Sequence, residues 1–295
     1  MIEVDLSSDM NGRPDQAHEM LGRLLRRLRL ARRVSAAAAE RHIRCSASKI
    51  SRIERGKITV KEADLHRLLD LYGVTDQGQR NALLEFARRL NNPQWWDKYR
   101  DVVDGWLRSY LILESIAERI RTYEVRFIPG LLQTPAYAEA VIRRHHYNDA
   151  DVHRRVEVRM QRQRTVLGGT TSRLWAVVDH AALKEAVLPH GFIEPEVMRE
   201  QIRFLIEATK RPSVSIQILP AGAGARAGIA NSFSLLRLRL ASLPDVAYHE
   251  HIGDALFLDR SDQADRYVGA MYRLSIEADE PKDAAGTLEE ALAAI

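Results

Sequence analysis

The stretch Ser46-Ala-Ser-Lys-Ile-Ser-Arg-Ile-Glu-Arg-Gly56 constrains the fold of this chain more than any other segment. Ser46 is a favourable helix N-cap, because its hydroxyl can accept a hydrogen bond from a free backbone N–H of the first turn. Ile50 and Ile53 are three residues apart and therefore share one face, which can pack inward. Gly56 can close the helix in the left-handed conformation. The stretch predicts a short helix with an apolar back.

The front of this predicted helix is polar and cationic. Ser48, Arg52 and Arg55 recur at spacings of four and three residues, with Lys49 beside them. Arginine and lysine donate hydrogen bonds to guanine O6 and N7 in the major groove of DNA, and serine can bond several base edges. Ser48, Lys49 and Arg52 are therefore the predicted base contacts. The predicted phosphate contacts, which position a protein without reading sequence, are Ser35, Ser46, Ser51, Arg55 and Lys57.

Positive charge is concentrated around this stretch. Residues 19–61 contain 13 Lys and Arg against 3 Asp and Glu, a net +10, whereas the whole chain carries +4. Charge confined to one region indicates a polyanionic partner such as double-stranded DNA. Glu54 stands among arginines, so we expect an intramolecular ion pair that orients the helix rather than a base contact. The alternative is a solvated basic helix in a domain that does not bind DNA.

Cysteine usage and hydropathy indicate the compartment. The single cysteine, Cys45, excludes an intramolecular disulfide framework, and we expect a small core residue rather than a redox sensor. No apolar run approaches the ~20 residues that cross a bilayer. The first 16 residues are polar and acidic, unlike a signal peptide. These features predict a cytoplasmic, nucleoid-associated protein.

Hydrophobic periodicity predicts two domains of different class. The predicted helices of the first half are residues 18–33, 36–43, 46–56, 61–72 and 77–90, an all-α five-helix domain. In the second half, predicted strands at 172–178, 213–219, 232–240 and 246–250 alternate with predicted helices at 137–145, 152–167 and 196–209. This pattern indicates an α+β domain with a mainly antiparallel sheet.

The same pattern predicts the domain boundaries. We expect a flexible tail (1–17), a helix-turn-helix DNA-binding domain (18–91), a connecting helical segment (92–125), an α+β effector or partner-binding domain (126–281), and a C-terminal tail or short terminal helix (282–295).

Residues 19–90 resemble the helix-turn-helix domain of the xenobiotic-response-element class of Cro/repressor-like regulators. Ser46–Gly56 and Leu68-Leu-Asp-Leu-Tyr-Gly73 carry this resemblance. Gly is common in that class between the second and third helices, whereas this chain has Arg44. If the left-handed turn is kept, Arg44 is expected to be strained there.

Further motifs resemble a large actinobacterial family that includes WhiJ-like regulators. They are Trp95-Trp96, Tyr123-Glu124, Ile128-Pro-Gly-Leu-Leu-Gln-Thr-Pro-Ala-Tyr-Ala138, Arg159-Met-Gln-Arg-Gln163 and Leu174-Trp-Ala-Val-Val-Asp179. The resemblance implies a homodimeric transcriptional regulator with a C-terminal domain of unknown function. That domain would sense a small-molecule effector or bind a small partner protein. An antitoxin-like interaction module that autoregulates through DNA binding is the alternative.

Three other patterns suggest different chemistry. Gly222–Gly228 imitates a phosphate-binding loop, but the sequence after it favours a strand rather than the helix such a loop needs, so we expect a mobile hairpin loop. His249 and His251 could begin a zinc site with His180. Asp179, His180, Glu250 and Asp254 could form an acid/base set. Since no further ligand motif and no nucleophile motif accompanies them, we expect no metal, no cofactor and no enzymatic activity.

Overall fold

The computed structural model describes residues 16–169, 172–184, 191–240, 243–251 and 254–295. Contacts divide the chain into two units. The helical unit reaches to Ile116 and includes Arg239–Leu243, and the sheet unit consists of Ala117–Leu238 and Pro244–Ile295. The predicted order of a helical region followed by an α+β region is confirmed. In the part of the chain that the structure describes, no helix is long and apolar enough to cross a membrane.

The described α-helices of the helical unit are α1 (Gln16–Ala31), α2 (Ala36–His42), α3 (Lys49–Glu54), α4 (Glu62–Leu71), α5 (Gln77–Asn91) and α6 (Gly105–Ile116). Ser35 caps α2 as predicted, because its hydroxyl accepts a hydrogen bond from the Ala38 N–H at 3.1 Å. Asp76 caps α5 in the same way. Gly73 follows α4 with a φ of 65°, which allows the chain to leave the helix.

Leucines on one side of each helix form the core of the helical unit. Leu24 and Leu25 of α1, Leu65 and Leu68 of α4, and Phe86 of α5 are all buried. Helix α1 packs against α3, α5 and α6, and α2 packs against α3 and α4. The short helix α3 is therefore supported from two sides.

The described strands of the sheet unit are β1 (Ala117–Glu124), β2 (Arg173–Asp179), β3 (Val214–Leu219), β4 (Phe233–Leu238), β5 (Val246–His251) and β6 (Asp254–Leu258). They form a mixed sheet in the order β3-β2-β1-β4-β5-β6. β1 is parallel to β2, and β2 to β3, whereas the other three pairings are antiparallel. Parallel neighbours need crossover connections. Here α7 (Pro135–Ile142), α8 (Asp149–Leu167), α9 (His180–Leu183) and α10 (Pro195–Thr209) lie within them.

Both faces of the sheet are buried at its centre. On one face, Tyr123, Phe233 and Leu235 pack with Met271 and Leu274 of α12 (Ser261–Glu277). Side chains alternate between the two faces along a strand. Consecutive residues are buried in β1, β2 and β3, so the opposite face of the sheet is covered as well. The last helix, α13 (Ala284–Ala293), packs against α10 and β3.

One prediction about the segments between and after the domains was wrong. The connecting segment 92–125 is not helical throughout, because residues 117–124 form β1, which has partners on both sides. Of the two alternatives for 282–295, the short terminal helix is the one found: it is α13, whose Leu288 is fully buried. The predicted tail 1–17 lies outside the described residues, except for Gln16 and Ala17, which begin α1.

The glycine-rich segment Gly222–Gly228 is not a hairpin loop, contrary to the prediction. It leads from β3 to β4, and β2 and β1 lie between these two strands in the sheet. The segment contains one helical turn, α11 (Ala223–Arg226). Gly224 lies directly against the Tyr123 hydroxyl, where a Cβ would clash. This glycine is therefore explained by packing on the sheet.

Candidate nucleic-acid interface

The candidate recognition helix begins later than the sequence predicts. Helix α3 starts at Lys49, and the Lys49 N–H bonds the Ser46 backbone carbonyl at 3.2 Å. The predicted cap at Ser46 is therefore wrong. The reason is backbone geometry: Arg44 and Ser48 both have positive φ, 54° and 72°, so the chain turns before the helix can start. The strain expected at Arg44 is present.

The two faces of α3 match the prediction. Ile50 and Ile53 are 1% and 3% exposed and form the apolar back. Ser48, Arg52 and Arg55 are exposed. Since α1 and α2 cover the back, the polar front is the surface that a DNA groove can reach.

A buried ion pair joins α3 to α1. Arg29 Nε and Nη2 donate to the two carboxylate oxygens of Glu54 at 2.6 and 2.8 Å, and Arg29 Nη1 donates to the Val34 carbonyl at 2.7 Å. Both charged side chains are buried. The hydrogen bond to Glu54 raises the pKa of Arg29. The predicted intramolecular pair of Glu54 is confirmed, and its carboxylate is already engaged by Arg29.

Two glycines allow α1 and α3 to approach closely. A Cβ on Gly22 would lie 2.5 Å from the Ile53 carbonyl oxygen. Gly56, with a φ of 67°, ends α3, and a Cβ there would lie 2.6 Å from the Glu19 backbone nitrogen. Both contacts are with backbone atoms, which cannot swing aside as side chains do. The position of α3 on α1 therefore depends on these residues having no side chain.

We expect Gly22→Ala to lower the free energy of unfolding by about 2–3 kcal/mol, because the added methyl forces α1 and α3 apart. Chemical denaturation monitored by circular dichroism measures the change. Gly105→Ala is the control, since a Cβ at Gly105 meets nothing within 4 Å. Equal losses in both variants would contradict the close approach of the two helices.

The predicted base contacts do not share one environment. Ser48 and Arg52 are exposed, and within the described ranges their side chains have no hydrogen-bond or ion-pair partner. Lys49 Nζ, in contrast, pairs with Asp64 Oδ2 of α4 at 2.7 Å, and both side chains are largely covered. A base contact by Lys49 would have to break this pair. Ser48 and Arg52 are therefore the better-placed base readers.

The predicted phosphate contacts are distributed over α2, α3 and the turns beside them. Ser46 and Lys57 are exposed. Arg55 Nε donates to the Ser51 carbonyl at 3.1 Å, which holds the guanidinium beside α3. Ser35 uses its hydroxyl oxygen to cap α2 but keeps its O–H as a donor. Each of these groups can still donate to a phosphate oxygen.

Exposed arginines left out of the predicted site add to the positive charge. Their side chains make no ion pair or hydrogen bond within the described residues. They are Arg26, Arg27, Arg33, Arg41 and Arg44. The sequence signal was present in the charge of residues 19–61, but without a fold it could not separate free arginines from engaged ones such as Arg29.

In the sheet unit, glutamines hold the segment 128–134 that follows β1. Gln201 accepts from the Thr134 N–H and donates to the Leu132 carbonyl, both at 2.7 Å, and is fully buried. Gln163 donates to the carbonyls of Leu131 and Gln133. These side chains satisfy backbone groups that regular structure does not pair. The motif Pro-Gly-Leu-Leu-Gln-Thr-Pro is thus explained at least in part by folding.

Titratable groups gather where β1 ends. Burial, reinforced by nearby Glu250, raises the pKa of Glu124 to about 7, although Ser232 bonds its carboxylate. Burial and the charge of Arg162 lower the pKa of Arg159 to about 10. Arg159 Nη1 donates to Gln133 Oε1 at 2.6 Å. In the sequence, Glu124 and Arg159 stand within two of the motifs given above, and neither was predicted to have a role of its own. Such shifted groups mark a second candidate site.

Glu124→Gln is expected to raise the free energy of unfolding at pH 8 and to leave it nearly unchanged at pH 4. The pKa of Glu124 is about 7 in the folded chain against an ordinary value of 4.5. The folded state therefore binds the proton more tightly, and this stabilisation, complete below about pH 4.5, is lost as the pH rises through 7. Glutamine cannot ionise. Urea unfolding of the wild type and of Glu124→Gln across this pH range tests the prediction. A difference in the free energy of unfolding that does not change with pH would contradict it.

The acid/base set drawn from the sequence is not brought together. Asp179 lies on β2 and caps α9 through the Ala181 N–H at 2.9 Å. Glu250 lies on β5, on the opposite face of the sheet and with β1 and β4 in between. The distance across the sheet follows from strand order and register, which a local motif does not encode.

His249 and His251 of β5, which the sequence suggested as possible zinc ligands, contact other groups instead. His249 Nδ1 lies 2.7 Å from the Ser232 carbonyl, and its ring meets that of His251 edge-on with 4.5 Å between centroids. Over the ranges that the structure describes, no three His, Cys, Asp or Glu side chains come together as a metal site.

Two protein-family models match the chain. Residues 20–83 match a helix-turn-helix domain, a range that includes α3. Residues 107–290, more than half of the chain, match a domain of unknown function, DUF5753, and this range includes all the described strands. Neither a curated protein nor a solved structure matches.

Proposed function

The chain belongs to the DUF5753 family and carries a helix-turn-helix domain before that domain, and from this premise we propose that it is a sequence-specific DNA-binding transcriptional regulator. A DNA-binding regulator is what the helix-turn-helix match supports. The finer assignment, to the xenobiotic-response-element class and to WhiJ-like regulators, rests on the motifs quoted above.

One observation carries this proposal. Helix α3 is fixed to its unit by a buried ion pair and an apolar back, while Ser48 and Arg52 on its front are exposed and have no partner among the described residues. A rigidly held helix presents these exposed donors in a fixed arrangement, as recognition of an external acceptor requires. A base edge in the major groove provides such acceptors.

In the proposed complex, α3 lies in the major groove. Ser48 and Arg52 contact base edges. Lys49 can contact a base only if its ion pair with Asp64 breaks. Serine, arginine and lysine donors beside α3 bind phosphates, and the free arginines supply affinity that falls with added salt. The proposed phosphate contacts remain Ser35, Ser46, Ser51, Arg55 and Lys57.

The proposed regulator acts as a homodimer. Helix-turn-helix proteins commonly bind two half-sites about 34 Å apart, so that two recognition helices reach one side of the DNA. We propose residues 18–91 as the DNA-binding domain and the sheet unit, which begins with β1 at Ala117, as the input domain. The input is a small-molecule effector or a small partner protein.

Selection of genomic DNA fragments by the purified protein at physiological salt tests this proposal. Enrichment of a palindromic site is the expected result. Unselective binding that collapses with modest added salt would mean that the basic region only holds phosphates, and would overturn sequence-specific regulation.

An antitoxin-like module that binds a small partner protein is the second candidate. Tyr272 and Ile276, one turn apart on α12, are 58% and 79% exposed, which favours a protein partner on this face. Co-purification of a neighbouring gene product with the wild type, but not with Tyr272→Ser/Ile276→Ser, is the expected result. A partner that binds both proteins equally would exclude this face.

A further inference from the structure

A groove in the sheet unit opens beside the first residues of β2 and β3. Its volume is about 250 Å³, near the lower end for small-molecule sites. The polar and aromatic residues that line it are Arg119, Arg173, Trp175, Ser213 and Ser215. It lies at the opposite end of β1 from Glu124.

Two like charges stand side by side in this groove. Arg119 of β1 and Arg173 of β2 are direct partners in the sheet register, and both are exposed. Neither side chain has an ion pair or hydrogen bond within the described residues. Like charges directly opposite on adjacent strands destabilise a sheet. Neighbouring strands are about 4.8 Å apart, so both guanidinium groups can donate to one oxyanion.

The indole in the groove is held in one orientation. Trp175 Nε1 donates to Gln217 Oε1 at 2.7 Å, and Gln217 Nε2 donates to the carbonyls of Ser275 and Asp279 at 3.1 and 2.7 Å. Its polar edge is thereby satisfied, and the rest of the half-buried ring lines the groove. A fixed aromatic ring offers a stacking surface at low entropic cost.

We propose that this groove binds a small molecule that joins a phosphate or carboxylate group to a planar ring. Arg119 and Arg173 take the anionic group together, the hydroxyls of Ser213 and Ser215 complete its hydrogen bonds, and Trp175 stacks on the ring. If the chain is the proposed regulator, this molecule is its effector. The binding site itself does not depend on DNA binding.

Isothermal titration of the full chain with phenyl phosphate and benzoate tests the proposal. Inorganic phosphate lacks the ring and benzamide lacks the charge, so both should bind more weakly. Arg119→Gln/Arg173→Gln should weaken the binding of phenyl phosphate more than about tenfold, since two charge-assisted contacts are lost. The matched control is Arg126→Gln/Arg266→Gln. It removes two exposed arginines of the same unit, which also lack partners among the described residues.

The outcomes separate this site from the proposed function. Saturable binding that the groove variant loses and the control keeps supports the site, whatever the DNA selection finds. Equal binding by all three proteins, or no saturation, overturns it. A third outcome is that the wild type binds neither phenyl phosphate nor benzoate, while the groove variant binds DNA more weakly than the wild type does. This outcome would assign the two arginines to DNA phosphates and would also overturn the effector site.

Discussion

Replacing Arg52 with alanine is expected to weaken binding to the selected operator roughly 5- to 150-fold. Loss of one good arginine–base contact removes about 1–3 kcal/mol of discrimination. Arg52 is exposed and has no partner among the described residues, so the variant should fold as the wild type does. Fluorescence anisotropy with the operator and with scrambled DNA measures both affinities. Only the affinity for the operator should fall strongly.

Two further variants make this result specific. Lys57→Ala should weaken binding to both DNAs alike and reduce the slope of log affinity against log salt by about 1, as expected of a phosphate contact. Arg67→Ala removes an exposed arginine from α4 and controls for net charge. If Arg67→Ala matched Arg52→Ala on the operator, α3 would not be the reader.

The largest loss of stability is expected from breaking the Arg29–Glu54 pair. Glu54→Leu or Arg29→Met alone should cost about 3–5 kcal/mol, because each leaves one buried charge without its counterion. The double variant should lose less than either single one, since neither charge remains buried. Urea denaturation of all four proteins gives the coupling free energy.

The same set of proteins tests what the pair does for DNA. If the double variant folds but binds the operator more weakly, the ion pair is needed to orient α3. Hydrophobic packing would then be insufficient to hold α3 in the orientation that binds DNA. Losses that simply add in the double variant would contradict a direct interaction. Arg88→Met/Glu62→Leu, which removes an exposed pair between α4 and α5, should leave the free energy of unfolding nearly unchanged, because solvent screens that pair.

Local patterns were sufficient for most of the helical unit. Ile50, Ile53 and Gly56 occupy the positions that helical periodicity assigns to them, because α3 and its neighbours are close in sequence. The predicted cap at Ser46 was wrong because Arg44 and Ser48 have positive φ angles, a conformation that the preferences of non-glycine residues do not predict. The Lys49–Asp64 pair likewise needs the placement of α4.

The sheet unit was less predictable because its key contacts are distant in sequence. Strand β1 has charged residues where a buried strand usually has apolar ones, and the buried Arg121 pairs with Asp245, which is distant in sequence. The glycine-rich segment looked like a hairpin because β3 and β4 follow each other along the chain. Glu124 and Arg159 become a candidate site only when the crossover places α8 near the end of β1.

The pairing of β1 also determines when each unit can form during synthesis. Thr122 of β1 bonds Ser234 of β4, which the ribosome adds 112 residues later. The helices α1 to α6 all lie before β1 in the chain. Local contacts form before distant ones, so the recognition helix α3 can pack before β4 has been synthesised and has paired with β1. During that interval, β1 has an open edge that a second nascent chain could pair with.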